Sequence, residues 1–493
     1  MKRSSGILLH ITSLPSRYGV GSLGEEAYRF VDFLKSAGQS YWQILPVNPS
    51  GYGNSPYQAF STYAGNPYLI DLDCLIRDGL LDADEVNRVC WGERADEVDF
   101  NRLYTARMEL LRSAYARFCR RIPDAFDAFV DSQKSWLEEY ALFMAIKARY
   151  SDGPWIYWPL DIRLHRPDAV HHYRTMLQDE IRFQYFLQYL FHGQWQSLRS
   201  YANQNGIRII GDIPIYVPLD SADVWSRPEN FQLTRTRRPR VVAGCPPDAF
   251  NAGGQYWGNP IYDWKRMEQD GFSWWMERLR AAGERFDVVR IDHFRGIESY
   301  WSIPAVNRTA RKGSWIKGPG IALIEAIRKN LTHIDFIAED LGFLTPEVID
   351  LVHRSGFPGM KVLEFAFDPR EPSNYLPHKY DENCICYTGT HDNETLVQWC
   401  EGLDESSEAY AREYLHIGPK DDLPDAIIEA GMQSKAVLFI AQMQDYLRIG
   451  AHGRMNEPGR LLESNWRWRM EPGAADEALA ARILDLTKRA NRV

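Results

Sequence analysis

The chain has 493 residues, 45% hydrophobic and 25% charged, an ordinary globular composition in a chain too long for one minimal core. A formal net charge of -9 and a pI near 5.8 supply no basic field for phosphates, so nucleic acid is excluded as an expected partner. With no long apolar run and a mean hydropathy of -0.41, no membrane span is expected either.

The first residues lead only into a brief apolar stretch, Ile7-Leu8-Leu9, too short for the core of a signal peptide. A cytoplasmic protein with no module ahead of its first strand is the expectation. The seven cysteines are odd in number and scattered without a CxxC pair, which signals neither a disulfide framework nor a metal site. Cys384 and Cys386 alternate along an expected strand as packing residues.

Short apolar runs then recur at 6–11, 41–46, 207–213, 286–292, 334–339, 361–367, 384–389 and 436–442, separated by helical patterns. They number eight, as a closed parallel (β/α)8 TIM barrel requires. The stretch 181–203 has apolar residues at helical spacing and stops at Asn205-Gly206, directly before a strand. The segment 47–206 is far longer than one crossover needs and includes an amphipathic stretch at 104–150, so it contains a large, mostly helical insertion between strands two and three. A second insertion, 218–283, is rich in Pro, Gly and Trp. Within it the arginines of 235–240 are flanked by turn residues and read as a solvated loop. The segment 245–260 reads as an irregular loop whose Phe250, Tyr256 and Trp257 offer apolar faces. Residues after the eighth run finish the barrel with a last helix near 475–490. The expected architecture is thus one catalytic barrel over 1–493, with inserted subdomains on its C-terminal face and no separate C-terminal β-domain.

In a parallel barrel, chemistry is built where the strands end. Run four ends Arg290-Ile291-Asp292-His293, and the period of two puts Arg290 and Asp292 on one face, where the guanidinium favours an ionised carboxylate. Run five ends in Glu339-Asp340, of which one faces the mouth; run seven ends Thr388-Gly389-Thr390-His391-Asp392-Asn393; run three adds Asp212. One such carboxylate could be only a helix cap. Four together suggest a centre that needs one ionised and one protonated carboxyl, the requirement of glycosyl transfer with retention. An aromatic content of 13%, with 16 Trp, supplies side chains on which sugar rings stack.

The blocks Arg290-Ile291-Asp292-His293-Phe294-Arg295-Gly296, Ala338-Glu339-Asp340-Leu341-Gly342 and Thr388-Gly389-Thr390-His391-Asp392-Asn393 strongly resemble those of the amylomaltase, or disproportionating-enzyme (4-α-glucanotransferase), family. So do Asn54-Ser55-Pro56-Tyr57, Asp212-Ile213-Pro214, Ala243-Gly244-Cys245-Pro246-Pro247-Asp248, Gln255-Tyr256-Trp257-Gly258-Asn259-Pro260 and Arg454-Met455-Asn456. They fall in order from the first strand to the last helix, so the resemblance covers essentially the whole chain. It implies a retaining 4-α-glucanotransferase acting on α-1,4-glucans and malto-oligosaccharides, with glucose among its acceptors and neither metal nor organic cofactor. It also implies that Asp292 is the nucleophile, Glu339 the general acid/base and Asp392 a transition-state stabiliser, while Arg290, His391 and Asp212 contact the sugar or orient these carboxylates. Tyr57, Trp257 and Asn456 complete the expected substrate-binding set, and Asp340 is assigned to the outward side.

Two departures from the family pattern bear on acceptor and chain-length preference: Ala249 precedes Phe250 where an aromatic is frequent, and Glu457 follows Asn456 where a small apolar residue is common. The alternative is an α-amylase-like α-1,4-glucan hydrolase. Against it stand the absence of a C-terminal β-domain and the Asp212-Ile213-Pro214 block, where amylases more often carry an Asn-His pair. A sugar-binding barrel without activity would not need Asp292, Glu339 and Asp392 together.

Overall fold

The computed structural model describes residues 2–51, 53–247, 253–342, 344–370 and 373–493. Among these the strands are β1 (Ser4–Leu8), β2 (Tyr41–Gln43), β3 (Arg208–Ile213), β4 (Val241–Cys245), β5 (Gln255–Pro260), β6 (Val288–Ile291), β7 (Ser299–Pro304), β8 (Ser314–Lys317), β9 (Asp335–Ala338), β10 (Gly359–Val362), β11 (Cys384–Tyr387) and β12 (Leu438–Gln442). Eight of them, in the order β10-β11-β12-β1-β2-β3-β6-β9, form one sheet, and every pair in it is parallel. At the remaining seam the Ala338 amide donates to the Pro358 carbonyl at 3.0 Å, which joins the end of β9 to the residue before β10. The sheet is the nearly closed wall of a (β/α)8 barrel. All eight expected runs overlap one of these strands.

Burial on both faces explains why these strands read as apolar runs instead of alternating ones. Ile7, Ile209, Val288, Val289, Ile291, Ile337, Ile385 and Ile440 are fully buried. Gly6 is required by close approach, since a Cβ there would lie 2.5 Å from the Tyr41 carbonyl oxygen. The strand at the sixth run begins before it, at Gly359, and ends at Val362, after which the chain tightens into a 3-10 turn over Leu363–Phe365.

Between β2 and β3 run the helices α1 (Phe100–Phe118), α2 (Asp124–Ser132), α3 (Lys134–Arg149) and α4 (Gln178–Gln204). The amphipathic stretch 104–150 is therefore three helices, broken where Pro123 precedes α2 and at Gln133. Aromatic contacts bind them, with Phe118 against Phe186 at 4.8 Å and against Phe126 at 5.2 Å between ring centroids. The last helix, α5 (Glu477–Arg489), closes the chain against the barrel.

One feature differs from expectation. The strands β5-β4-β7-β8 form a second, antiparallel sheet, so the segment read as an irregular loop contains a strand, Gln255–Pro260. This sheet draws β4 and β5 from the excursion after β3, and β7 and β8 from the one after β6. Its Gly and Pro have structural reasons: a Cβ on Gly244 would meet the Gln255 carbonyl at 2.2 Å, and Pro260 ends an edge strand, a position in a sheet that tolerates proline. Asp248, Ala249 and Phe250, named above, lie outside the described residues.

Candidate active site

Register builds the site. Asp212 of β3 pairs with Arg290 of β6, and Ile291 of β6 pairs with Ala338 of β9, so Asp292 and Glu339 emerge one residue later at adjacent strand ends. Their amides continue the ladder, Asp292 N to the Ile213 carbonyl at 2.9 Å and Glu339 N to the Ile291 carbonyl at 3.1 Å.

The Arg290 guanidinium lies at the centre, buried, with one nitrogen 2.5 Å from Asp212 and 3.0 Å from Asp292. Tyr57 donates its hydroxyl to the same Asp212 oxygen at 2.7 Å. Burial, reinforced by Asp212, pushes that hydroxyl well above its ordinary range, so it remains a donor. Glu339 turns into the mouth and accepts the His293 amide at 2.6 Å and the Leu341 amide at 2.9 Å. His293 reaches this position with φ 51°, in the left-handed region. Burial raises the carboxyls of both Asp292 and Glu339 above the usual carboxylate range, with Arg290 pulling each back. Asp340 accepts the Met360 amide at 2.6 Å on the neighbouring strand, which places it away from the mouth.

The loop after β11 supplies the opposite wall. Asp392 is exposed; its carboxylate accepts the Asn456 amide at 2.6 Å and stands 3.5 Å from His391 Nε2. Burial lowers the His391 pKa, which favours the neutral imidazole. The His391 ring stacks on Tyr57 at 5.1 Å. Trp257 meets the His293 ring edge-on at 4.8 Å. Seven of the nine residues singled out above thus join in one chain of contacts, Asn456–Asp392–His391–Tyr57–Asp212–Arg290–Asp292, while Glu339 and Trp257 both meet His293, the residue after Asp292.

Two neighbours were not singled out. Trp466 packs against both Tyr57 and His391, at 6.0 and 5.8 Å, from a stretch that carries no periodic pattern. His10, at the end of β1, is buried beneath the site and accepts the Leu45 amide at 3.3 Å. A histidine just past a barrel strand was the available signal. Among the described residues no group of three His, Cys, Asp or Glu side chains is placed to hold a metal ion, and no helix is long and apolar enough to cross a membrane.

A parallel barrel that gathers carboxylates, one guanidinium and aromatic rings at its C-terminal mouth belongs to the enzymes that make and break glycosidic bonds. Comparison with known proteins narrows the class. A family model described as 4-alpha-glucanotransferase matches residues 9–475, and the chain belongs to that family. It is 44% identical to the 4-alpha-glucanotransferase of Clostridium butyricum, over 97% of this chain and 99% of that protein. It is 46% identical to the 4-alpha-glucanotransferase of Streptococcus pneumoniae, over 99% and 97%. Among solved structures, an amylomaltase from Streptococcus agalactiae in complex with acarbose matches with a TM-score of 0.97 and 39% identity over the whole of both chains. The α-amylase-like alternative is not favoured by these relatives.

Proposed function

We propose that this mouth transfers α-1,4-glucan segments from a donor chain to the 4-hydroxyl of an acceptor glucan or glucose, with retention, through a glycosyl-enzyme intermediate on Asp292. The observation that carries the reading is the unequal treatment of two neighbouring carboxyls. Asp292 is ion-paired to Arg290 and only partly buried, whereas Glu339 is buried and makes no ion pair with a guanidinium among the described residues. With one proton between them, Asp292 holds the charge a nucleophile needs and Glu339 holds the proton a general acid needs.

In the first half-reaction Glu339 gives its proton to the glycosidic oxygen as that oxygen leaves C1, and the Asp292 carboxylate forms the new bond to C1. In the second, Glu339 takes the proton of the acceptor hydroxyl, whose oxygen attacks C1 and releases Asp292. Asp392, oriented by Asn456 and beside neutral His391, accepts from ring hydroxyls and favours the cationic transition state. Asp212, tied to Arg290 and Tyr57, fixes the guanidinium. Trp257 offers a face to a sugar ring. A cytosolic setting fits seven cysteines scattered along the chain without a CxxC pair.

The test uses two donors. Fluoride leaves without a proton, so Glu339→Ala should lose roughly a thousandfold with maltotriose and within about tenfold in forming the intermediate from α-glucosyl fluoride. Asp292→Asn should be inert with both. Equal loss by Glu339→Ala with both donors would remove the acid role. Maltotriose giving glucose and a ladder of longer chains marks transfer, and glucose with maltose alone marks hydrolysis.

A further inference from the structure

Beneath the loop that carries His391 and Asp392 lies a buried carboxyl that the mechanism above does not use. Glu364, in the 3-10 turn after β10, is 9% exposed, and its Oε2 accepts the Asn393 side-chain amide at 3.1 Å. Asn393 is itself a clamp. Its side-chain oxygen accepts both the amide of Thr390, at 3.0 Å, and the hydroxyl of Thr390, at 2.9 Å, while the same hydroxyl oxygen accepts the Asp392 amide at 3.3 Å. An unbroken chain of hydrogen bonds thus runs from Glu364 through Asn393 and Thr390 to the backbone of Asp392. The loop also makes room for the carboxyl: a Cβ on Gly389 would lie 2.5 Å from Glu364 Oε1 and 3.0 Å from Asn393 Cβ.

We propose that Glu364 is a positioning residue for Asp392, acting through Asn393. The proposal rests on the stabilising role given to Asp392 above. The ends of the same loop are held separately, since Asp445 accepts the Thr388 hydroxyl at 2.6 Å and the Leu396 amide at 2.8 Å. Asp445 therefore grips the two ends and Glu364 the middle, where the functional side chains project. Removing the middle support leaves the fold of the loop anchored but lets Asp392 wander, and a displacement on the order of 1 Å costs far more rate than stability.

Glu364 does this in its neutral form. Burial first, then the facing Asp445 and Glu394, push its carboxyl well above the ordinary range, with the Asn393 amide and Arg454 opposing; Cys400 is the other titratable neighbour. Its Oε1 is buried with no hydrogen-bond partner among the described residues, a cost that an uncharged carboxyl bears more easily than an anion. A glutamine is accordingly a faithful replacement: it keeps the acceptor for Asn393 and adds no charge.

The experiment compares Glu364→Gln, Glu364→Met, Asn393→Ala and the Glu364→Met/Asn393→Ala double variant in the full-length enzyme with maltotriose. Glu364→Gln should keep kcat within about threefold, whereas Glu364→Met and Asn393→Ala should each lose at least about tenfold in kcat with KM within about twofold, the mark of an interaction felt mainly in the transition state. Because both act through one contact, the double variant should lose no more than the worse single. Multiplying losses, a fall in Glu364→Gln equal to that in Glu364→Met, or wild-type kcat in Glu364→Met would each overturn the role. Should Glu364→Met not fold, Glu364→Gln against Asn393→Ala still decides it: an active Gln variant with an impaired Asn393→Ala supports the chain of contacts, and an unimpaired Asn393→Ala ends it. Wild-type enzyme inert toward maltotriose would refute the transfer reading itself, a result distinct from any of these.

Discussion

Asp212 and Asp292 flank one guanidinium, 2.5 and 3.0 Å from the same Arg290 nitrogen, but the Asp212 side chain is fully buried and that of Asp292 is 29% exposed. Accessibility divides the labour: a sealed carboxylate fixes Arg290 and Tyr57, and an open one can meet a ligand. Burial has a different consequence outside the site, at Asp223. Its carboxyl accepts the Thr62 amide at 2.9 Å, and burial pushes its pKa to about 6, against an ordinary carboxylate value of about 4. Below about pH 4 the group is protonated folded and unfolded and costs nothing; between about 4 and 6 the unfolded chain releases the proton while the folded chain retains it, so stability falls as pH rises. That loss is complete above pH 6 and amounts to about 3 kcal/mol for a shift of about two units. Asp223→Asn keeps an acceptor for Thr62 and cannot titrate. Thermal melts from pH 4 to 7 should show the variant gaining on the wild type across that window, and parallel curves would show that Asp223 is ionised in the native protein throughout.

At the scale of elements, β5 is the instructive case. Its edge position, its Pro260 and the partial exposure of Tyr256 hide it from a search for apolar runs, and β8 is exposed along its whole length. The barrel strands, buried on both faces, show plainly as apolar runs for the opposite reason. Placing Trp257 on a paired strand instead of a loop matters for water. A strand alternates its side chains, so Tyr256 and Trp257 face opposite ways, and Trp257 is the one beside His293. Transfer must beat hydrolysis against a vast excess of water, which requires a positioned acceptor and a dry intermediate. Trp257→Ala should therefore raise the share of donor cleavages that end in water, read as reducing ends and glucose released together from maltotriose. A variant that loses transfer and hydrolysis in equal proportion would limit Trp257 to donor binding.

At the scale of the molecule, a buried ammonium, Lys147, helps tie the helical excursion to the segment that follows β3. Its ammonium, 2% exposed, lies 2.6 Å from Asp220, donates to the Asp152 carbonyl at 2.8 Å and sits over the Phe60 ring. Lys147→Met should destabilise the protein by about 3 kcal/mol, because a buried pair broken from one side leaves the other partner uncompensated. Urea unfolding would measure it, and a midpoint equal to the wild type would mean that Asp220 is solvated well enough to stand alone.

Apolar run length marked all eight barrel strands, and the polar residues that follow them marked Asp212, Asp292, Glu339 and Asp392, because burial and strand termination are local properties of a chain. The period of two also put Arg290 beside Asp292. Local pattern could not say that Asp212 would share that guanidinium, for their meeting depends on the β3–β6 register across residues far apart in the chain. Nor could it bring Asn456 to Asp392, Trp466 to Tyr57 or Glu364 beneath Asn393. Those contacts exist only once the barrel curls β12 against β1 and carries the ends of distant strands to one mouth, so tertiary closure alone decided which carboxyls share the Arg290 guanidinium, which of them is sealed, and which buried carboxyl meets Asn393.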